Sequence, residues 1–274
     1  MVEAPRIRII YDRLKFTKGL TIICASGTSY VKLGIDLTNY LIKKWWFAGK
    51  YIYFHVIFEE KPEYVIRTHM LMYGRITVND IDTGKKPFMT IELNDGTILR
   101  WFMSQIILLD PYCSDNEIKS NYTTCNSRQL ILDSIKMMRY DLSNRKFNLN
   151  LFKKHLKIGI KKYLSDIITD FLLNQEYFPG VGNILQQEAL YDCKILPQRI
   201  ISTISEIEFD CLISSLKKVI DLLYESYVIK LQGKTFGPIL RIYHKSLCPL
   251  GHKTITKYIG YRNRRTTWCP ICQK

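Results

Sequence analysis

The sequence predicts an α+β chain in three parts: an N-terminal helix plus β-sandwich, a helical domain, and a C-terminal β-hairpin clamped by zinc. Three observations predict it. Residues 21 to 109 or so alternate strand-forming runs with turn residues. From Ser127 on, apolar residues recur at helical spacing. Near the C-terminus, Cys248/His252 and Cys269/Cys272 form two close pairs of metal-ligand type around sixteen residues rich in β-formers.

The elements follow in order. Pro5 suits the first turn of a helix, and Ile7, Ile10, Tyr11 and Leu14 then share one helical face. The run from Tyr51 to Phe58 is apolar on both faces, as a sandwich or barrel core requires. Met89–Leu93 and Thr97–Trp101 flank Asn94-Asp95-Gly96, a hairpin turn in which Asp-Gly supplies the positive φ angles. These observations give a first domain over 1–112. The Ser/Asn-rich stretch 113–126 reads as a linker. A second domain over 127–230 ends in a helix at about 204–226, whose Phe209, Leu212, Ile213, Leu216, Val219, Ile220 and Leu223 line one face. Phe178-Pro-Gly-Val-Gly-Asn183 is a glycine turn with Asn183 as N-cap of the next helix. Residues 231 to 247 form a loop, and 243–274 hold the metal module.

Composition narrows the function. With 47% hydrophobic and 24% charged residues the chain is globular. Forty Lys and Arg against 25 Asp and Glu leave a net charge of +15, which favours nucleic acid as partner over an anionic membrane surface. No secretory segment and no apolar run near 18 residues is present, so the expectation is a soluble, intracellular protein without a membrane partner. Cys24, Cys113, Cys125, Cys193 and Cys211 are scattered, and read as reduced, buried thiols.

Five constellations carry chemistry. Cys248, His252, Cys269 and Cys272 suit a closed tetrahedral structural Zn²⁺ site without a catalytic water; His244 is a second candidate for the histidine ligand. At the N-terminus, Val2 is small enough to permit removal of Met1. An α-amine has a pKa near 7.7–8.0 against about 10.4 for lysine, so far more of it is a neutral nucleophile at pH 7. Glu3 beside it is either a proton shuttle or a helix-start device. The turn ending at Asn183 is either a phosphate site at a helix start or an ordinary connection. Lys50 after Gly49 is a turn cation, by default solvated. His69 and Met72 lie on one strand, by default packing residues.

Taken in order, these pieces resemble the formamidopyrimidine-DNA glycosylase/endonuclease VIII family over essentially the whole chain. Val2-Glu3-Ala4-Pro5 is similar to its N-terminal Pro-Glu-x-Pro, and Phe47-Ala-Gly-Lys-Tyr-Ile-Tyr53 to its Arg-Arg-Gly-Lys-Tyr-Leu turn. His69-Met-Leu-Met-Tyr-Gly-Arg75 resembles His-Leu-Gly-Met-Ser-Gly-Arg. Gln175, Pro179-Gly-Val-Gly-Asn-Ile184 and Glu188 resemble the helix–two-turns–helix signature, with Pro197 and Arg199 following in place. Arg264-Arg-Thr-Thr-Trp-Cys-Pro-Ile-Cys-Gln273 resembles the zinc-finger ending.

The resemblance implies a monomeric DNA glycosylase/AP lyase that removes oxidised bases in base excision repair, in the nucleus or another DNA-containing compartment. It makes the Val2 α-amine the nucleophile and Glu3 the acid/base. It gives Lys50, Asn183 and Arg264 to the DNA backbone, with His69 assisting and Met72 as wedge. Three departures stand out. Val replaces the usual Pro at position 2, as in the third vertebrate Nei-like glycosylase. Cys-x3-His replaces the first Cys-x2-Cys. The family's void-filling Arg-Arg-Phe-Gly loop falls at Gln105-Ile-Ile-Leu108, without Arg or Phe. A base flipped from duplex DNA leaves a hole that those side chains fill, so the departure implies single-stranded DNA as preferred substrate. A catalytically inactive binder of damaged or single-stranded DNA is the alternative.

Overall fold

The computed structural model describes residues 2–59, 61–80, 85–112, 127–237 and 239–274. Contacts divide the chain into two compact units, Met1–Val2 with Ile7–Lys136, and Glu3–Arg6 with Met137–Lys274. The boundaries differ from those read in the sequence. The helix starting at Ser127 falls with the first unit up to Lys136, and the metal module falls with the helical unit. The expected linker at 113–126, with Cys113 and Cys125, lies outside the described residues.

α1 (Ala4–Leu14), which belongs to the first unit from Ile7 on, buries Ile7, Ile10 and Leu14, as its spacing predicts. Six antiparallel strands follow: β1 (Ile22–Ser26), β2 (Leu41–Ala48), β3 (Tyr51–Phe58), β4 (Lys61–Val78), β5 (Met89–Leu93) and β6 (Ile98–Leu109), in the order β1-β5-β6-β4-β3-β2. A short helix, α2 (Thr28–Val31), follows β1, and α3 (Ser127–Met137) follows β6. The two edge strands meet through a Thr21–Leu41 bridge and the bonds Ile22 N to Tyr40 O (2.9 Å) and Ile42 N to Leu20 O (2.9 Å). The sheet thus folds over as a sandwich around Phe47, Ile52, Phe54, Ile66, Ile91 and Trp101. Buried indoles are satisfied: Trp45 donates to the Thr17 hydroxyl at 2.9 Å and Trp101 to that of Thr68 at 3.2 Å.

The β5–β6 hairpin forms where Asp-Gly predicts it, with one difference. Positive φ occurs at Gly96 (+82°) but not at Asp95. Asp95 instead accepts from Thr97 N (2.9 Å) and the Thr97 hydroxyl (3.0 Å), which holds the turn without a left-handed aspartate.

In the second unit, α4 (Leu149–Lys162) starts at an Asn148 cap that accepts from Leu151 N at 3.0 Å. The helices α5 (Ile168–Leu172), α6 (Asn183–Asp192) and α7 (Glu206–Leu231) follow. α7 opens on a Ser205/Glu208 capping box and runs five residues past the expected end at 226. Phe152, Phe171, Phe178, Leu185, Leu190, Leu212 and Leu216 form the core. A hairpin of β7 (Ile255–Ile259) and β8 (Arg264–Trp268) follows.

Three cysteines depart from expectation. Cys193 and Cys211 form a disulfide that joins the end of α6 to the first turns of α7, and Cys24 is exposed. The opposing sequence pattern was spacing alone, which cannot reveal that two helix ends approach. Among the described residues, no helix is long and apolar enough to cross a membrane.

Candidate functional site

The second unit gathers polar groups around α6. Gln175 braces the turn before this helix: its amide donates to Leu173 O and Val181 O, both at 2.9 Å, and its oxygen accepts from Gly180 N at 3.1 Å. Gly180, at φ +80°, turns the chain, and its carbonyl accepts from Ala4 N at 3.0 Å. That bond brings Glu3 to the start of α6. The buried Glu3 carboxylate accepts from Ile184 N (2.9 Å) and Leu185 N (3.2 Å). These are orphan amides of the helix's first turn, where the dipole favours negative charge. A Cβ at position 182 would overlap that carboxylate, so glycine is required there by space.

The geometry corrects the reading of the glycine turn in two respects. Gly182, not Asn183, is the N-cap residue, and it offers no side-chain cap. The amides of Ile184 and Leu185 are taken by Glu3 rather than left for a phosphate. The Asn183 side chain makes a contact within the protein: its Nδ2 donates to Arg265 O at 2.8 Å. Gln187 adds a bond to the same carbonyl at 3.2 Å and accepts from Thr267 N at 2.8 Å. β8 is thereby stitched along α6, with the side chains of Arg264 and Arg265 exposed. Buried Glu188 accepts from the backbone amides of Arg241, Ile242 and Tyr243 at 2.9, 3.0 and 2.9 Å, which docks the segment leading to the metal module.

Tyr243 belongs to this constellation and was not singled out from sequence. Burial raises its phenol pKa, with the Glu3 charge adding and Arg265 and Asn183 opposing. A lone Tyr in a loop carries no spacing pattern by which to find it. Arg199, by contrast, is engaged structurally. It pairs with Glu208 and donates to Thr203 O.

The four proposed ligands converge. Their donor atoms all lie within 4.8 Å of one another, with Cys248 Sγ 3.6 Å and Cys272 Sγ 3.3 Å from His252 Nδ1, and the two sulfurs 3.9 Å apart. A tetrahedral zinc with bonds of about 2.0–2.3 Å requires donor separations of roughly 3.5–3.8 Å, so the set fits such an ion. His244 is not in the cluster; its ring packs on Tyr243 at 4.2 Å.

The first unit holds the other expected residues. Val2 is buried in its core. Gly49 (φ +58°) and Lys50 form the two-residue turn between β2 and β3, the conformation of a hairpin turn with glycine first. His69 pairs in register with Tyr51, and their rings lie 5.0 Å apart. Burial first, then Lys50 and Arg67, lower the His69 pKa, which favours the neutral imidazole. Met72 sits in an irregularity of β4 between Met70 and Arg75, and is 58% exposed. Gln105–Leu108 is not a loop. It is continuous strand within β6, paired with Ile66–His69, and Ile106, Ile107 and Leu108 are buried.

A profile of the formamidopyrimidine-DNA glycosylase H2TH domain matches residues 141–230. Endonuclease 8-like L720 of Acanthamoeba polyphaga mimivirus is 64% identical over 274 residues, the full length of both chains. The chain belongs to the formamidopyrimidine-DNA glycosylase/endonuclease VIII family. As a member of this family it is a DNA glycosylase of DNA repair. It is also 25% identical over 214 residues to human Endonuclease 8-like 3, spanning 76% of this chain and 31% of that protein. Among solved structures, a viral DNA glycosylase superposes with TM-score 0.93 at 64% identity over 100% of both chains. The Lactococcus lactis formamidopyrimidine-DNA glycosylase, bound to AP-site DNA, gives 0.71 at 20% identity over 99% of each chain, which shows the shared fold.

Proposed function

We propose that this family member is a bifunctional glycosylase and AP lyase that excises oxidised pyrimidines and hydantoins, preferentially from single-stranded DNA. The observation that carries the reading is Glu3, whose buried carboxylate is fixed to the first amides of α6 and so anchors the chain's opening residues. A terminus used as a reagent must be held; a frayed one would sample too many positions.

After loss of Met1, the Val2 amine attacks C1′ of the damaged nucleotide. The new N–C1′ bond forms as the glycosidic bond breaks, and the base leaves with a proton relayed by Glu3. The amine gives up its proton, the sugar ring opens, and an imine results. Removal of a C2′ proton expels the 3′ phosphate, and water then releases the amine. Lys50, Asn183 and Arg264 contact the DNA backbone, neutral His69 donates a hydrogen bond, and Asn183 also fixes the backbone of β8. Cys248, His252, Cys269 and Cys272 hold a structural Zn²⁺, which braces the hairpin and takes no part in bond making.

The strand conformation of 105–108 supports the single-strand preference. With that segment paired inside the sheet, Met72 remains as the apolar wedge. Unpaired DNA needs no filling of a vacated stack.

The test is borohydride reduction with an abasic single-stranded oligonucleotide. A covalent adduct that disappears when Met1 is retained supports the reading. No adduct with the processed protein, alongside undiminished DNA binding, overturns it in favour of an inactive binder. Cleavage of an oxidised pyrimidine faster in duplex than in single strands would overturn the strand preference.

A further inference from the structure

The turn joining β7 to β8 is held from a distance. Asp170 on α5 is 1% exposed, and its two oxygens accept from Tyr261 N at 3.0 Å and Arg262 N at 3.3 Å. A Cβ at Gly260, whose φ is +71°, would overlap this carboxylate, so the turn is shaped to receive it. Burial pushes the Asp170 pKa up while the two amides and Arg262 pull it down. α5 itself is fixed, through Ile168 N to Arg199 O at 2.8 Å and through buried Phe171 and Leu172. Beyond the turn, Asn183 and Gln187 grip the Arg265 carbonyl. Arg264 therefore lies between two backbone anchors, with its side chain exposed.

We propose that Asp170 is a positioning residue for DNA binding: it fixes the β7–β8 turn, so that Arg264 meets a phosphate without first ordering its backbone. The inference rests on the phosphate role given to Arg264 above and extends it to a residue that touches no DNA. Restricting a binding loop in advance raises affinity because the ordering cost is not incurred on association. Without the carboxylate, two amides of the turn lose a charged acceptor, and the Arg264 backbone keeps its anchor at Arg265 but loses the one on the turn side.

A double-mutant cycle tests this, using the zinc-loaded full chain and a single-stranded abasic oligonucleotide. Asp170→Asn keeps the shape but turns one acceptor into a donor. It should weaken binding by about five- to twentyfold. In an Arg264→Ala background the same change should cost less than about twofold, because its effect runs through Arg264. Zinc content and the thermal midpoint are measured on each variant. Should Asp170→Asn fail to fold, Gly260→Ala perturbs the same contact from the turn and should show the same non-additivity. Equal losses in both backgrounds would mean that Asp170 acts through general stability, and would overturn the inference. So would unchanged affinity of Asp170→Asn where Arg264→Ala binds weakly. If Arg264→Ala itself binds normally, the phosphate assignment fails first, and the inference fails with it.

Discussion

Replacing Glu3 by Gln is expected to destabilise the helical unit before it touches the chemistry. The carboxylate accepts two amide hydrogens, from Ile184 at 2.9 Å and Leu185 at 3.2 Å. Hydrogen bonds to a charged group contribute about 1.5–3 kcal/mol each, against about 1 for a neutral pair. Gln preserves one acceptor and places an NH₂ donor against the second amide, which stays buried and unpaired. The net loss is about 2–4 kcal/mol. For a unit of this size that is a fall in the thermal midpoint of roughly 6–12 °C. Calorimetry on Glu3→Gln gives the answer directly, and Gly182→Ala should show a comparable fall because its Cβ would displace the same carboxylate. A midpoint within about 1 °C of wild type would refute the anchoring argument. The result also governs how activity is read: loss of cleavage in Glu3→Gln reports proton transfer only well below the lowered midpoint.

Four other outcomes are expected. Arg264→Ala should weaken binding equally for all sequences and, on duplex DNA, where about six phosphate contacts give a salt slope near −5, should reduce the slope by about 1; a sequence-dependent loss would contradict a phosphate contact. Cys269→Ser or Cys272→Ser should release zinc and unfold the hairpin module, as metal binding supplies much of the folding energy of such modules; unchanged zinc content would overturn the ligand set. The Arg199 hydrogen bond holds the Glu208 pKa down at about 2, from 4.5. The stabilisation from this pair is thus complete above pH 4.5 and is lost as the pH falls toward 2, so acid titration of Glu208→Gln should lack that part of the loss. Reduction of the Cys193–Cys211 bond should lower stability by about 3 kcal/mol in denaturant titrations, from closure of an 18-residue separation.

Much of the fold was legible because it is written in local periodicity. The one-sided apolar pattern of α7 and the Asp-Gly turn between β5 and β6 need no tertiary information. The metal ligands were legible because both pairs sit in short loops. What sequence could not show was long-range hydrogen bonding. Asn183 fits an N-cap by type, yet the cap position belongs to Gly182 and the amides to Glu3, 181 residues from Ile184 in sequence. Asp170 and Tyr243 bear no motif; they matter because of what lies opposite them in space. Cys193 and Cys211 looked like scattered thiols because the approach of two helix ends is set by packing, not spacing.

Peptide mapping by mass spectrometry, on protein reduced with borohydride while bound to abasic single-stranded DNA, tests the central claim most directly. The account predicts a sugar fragment on the amine of Val2 in the peptide that begins Val2-Glu3-Ala4-Pro5. A fragment carried by Lys50 or any other lysine side chain, with Val2 unmodified, would contradict it.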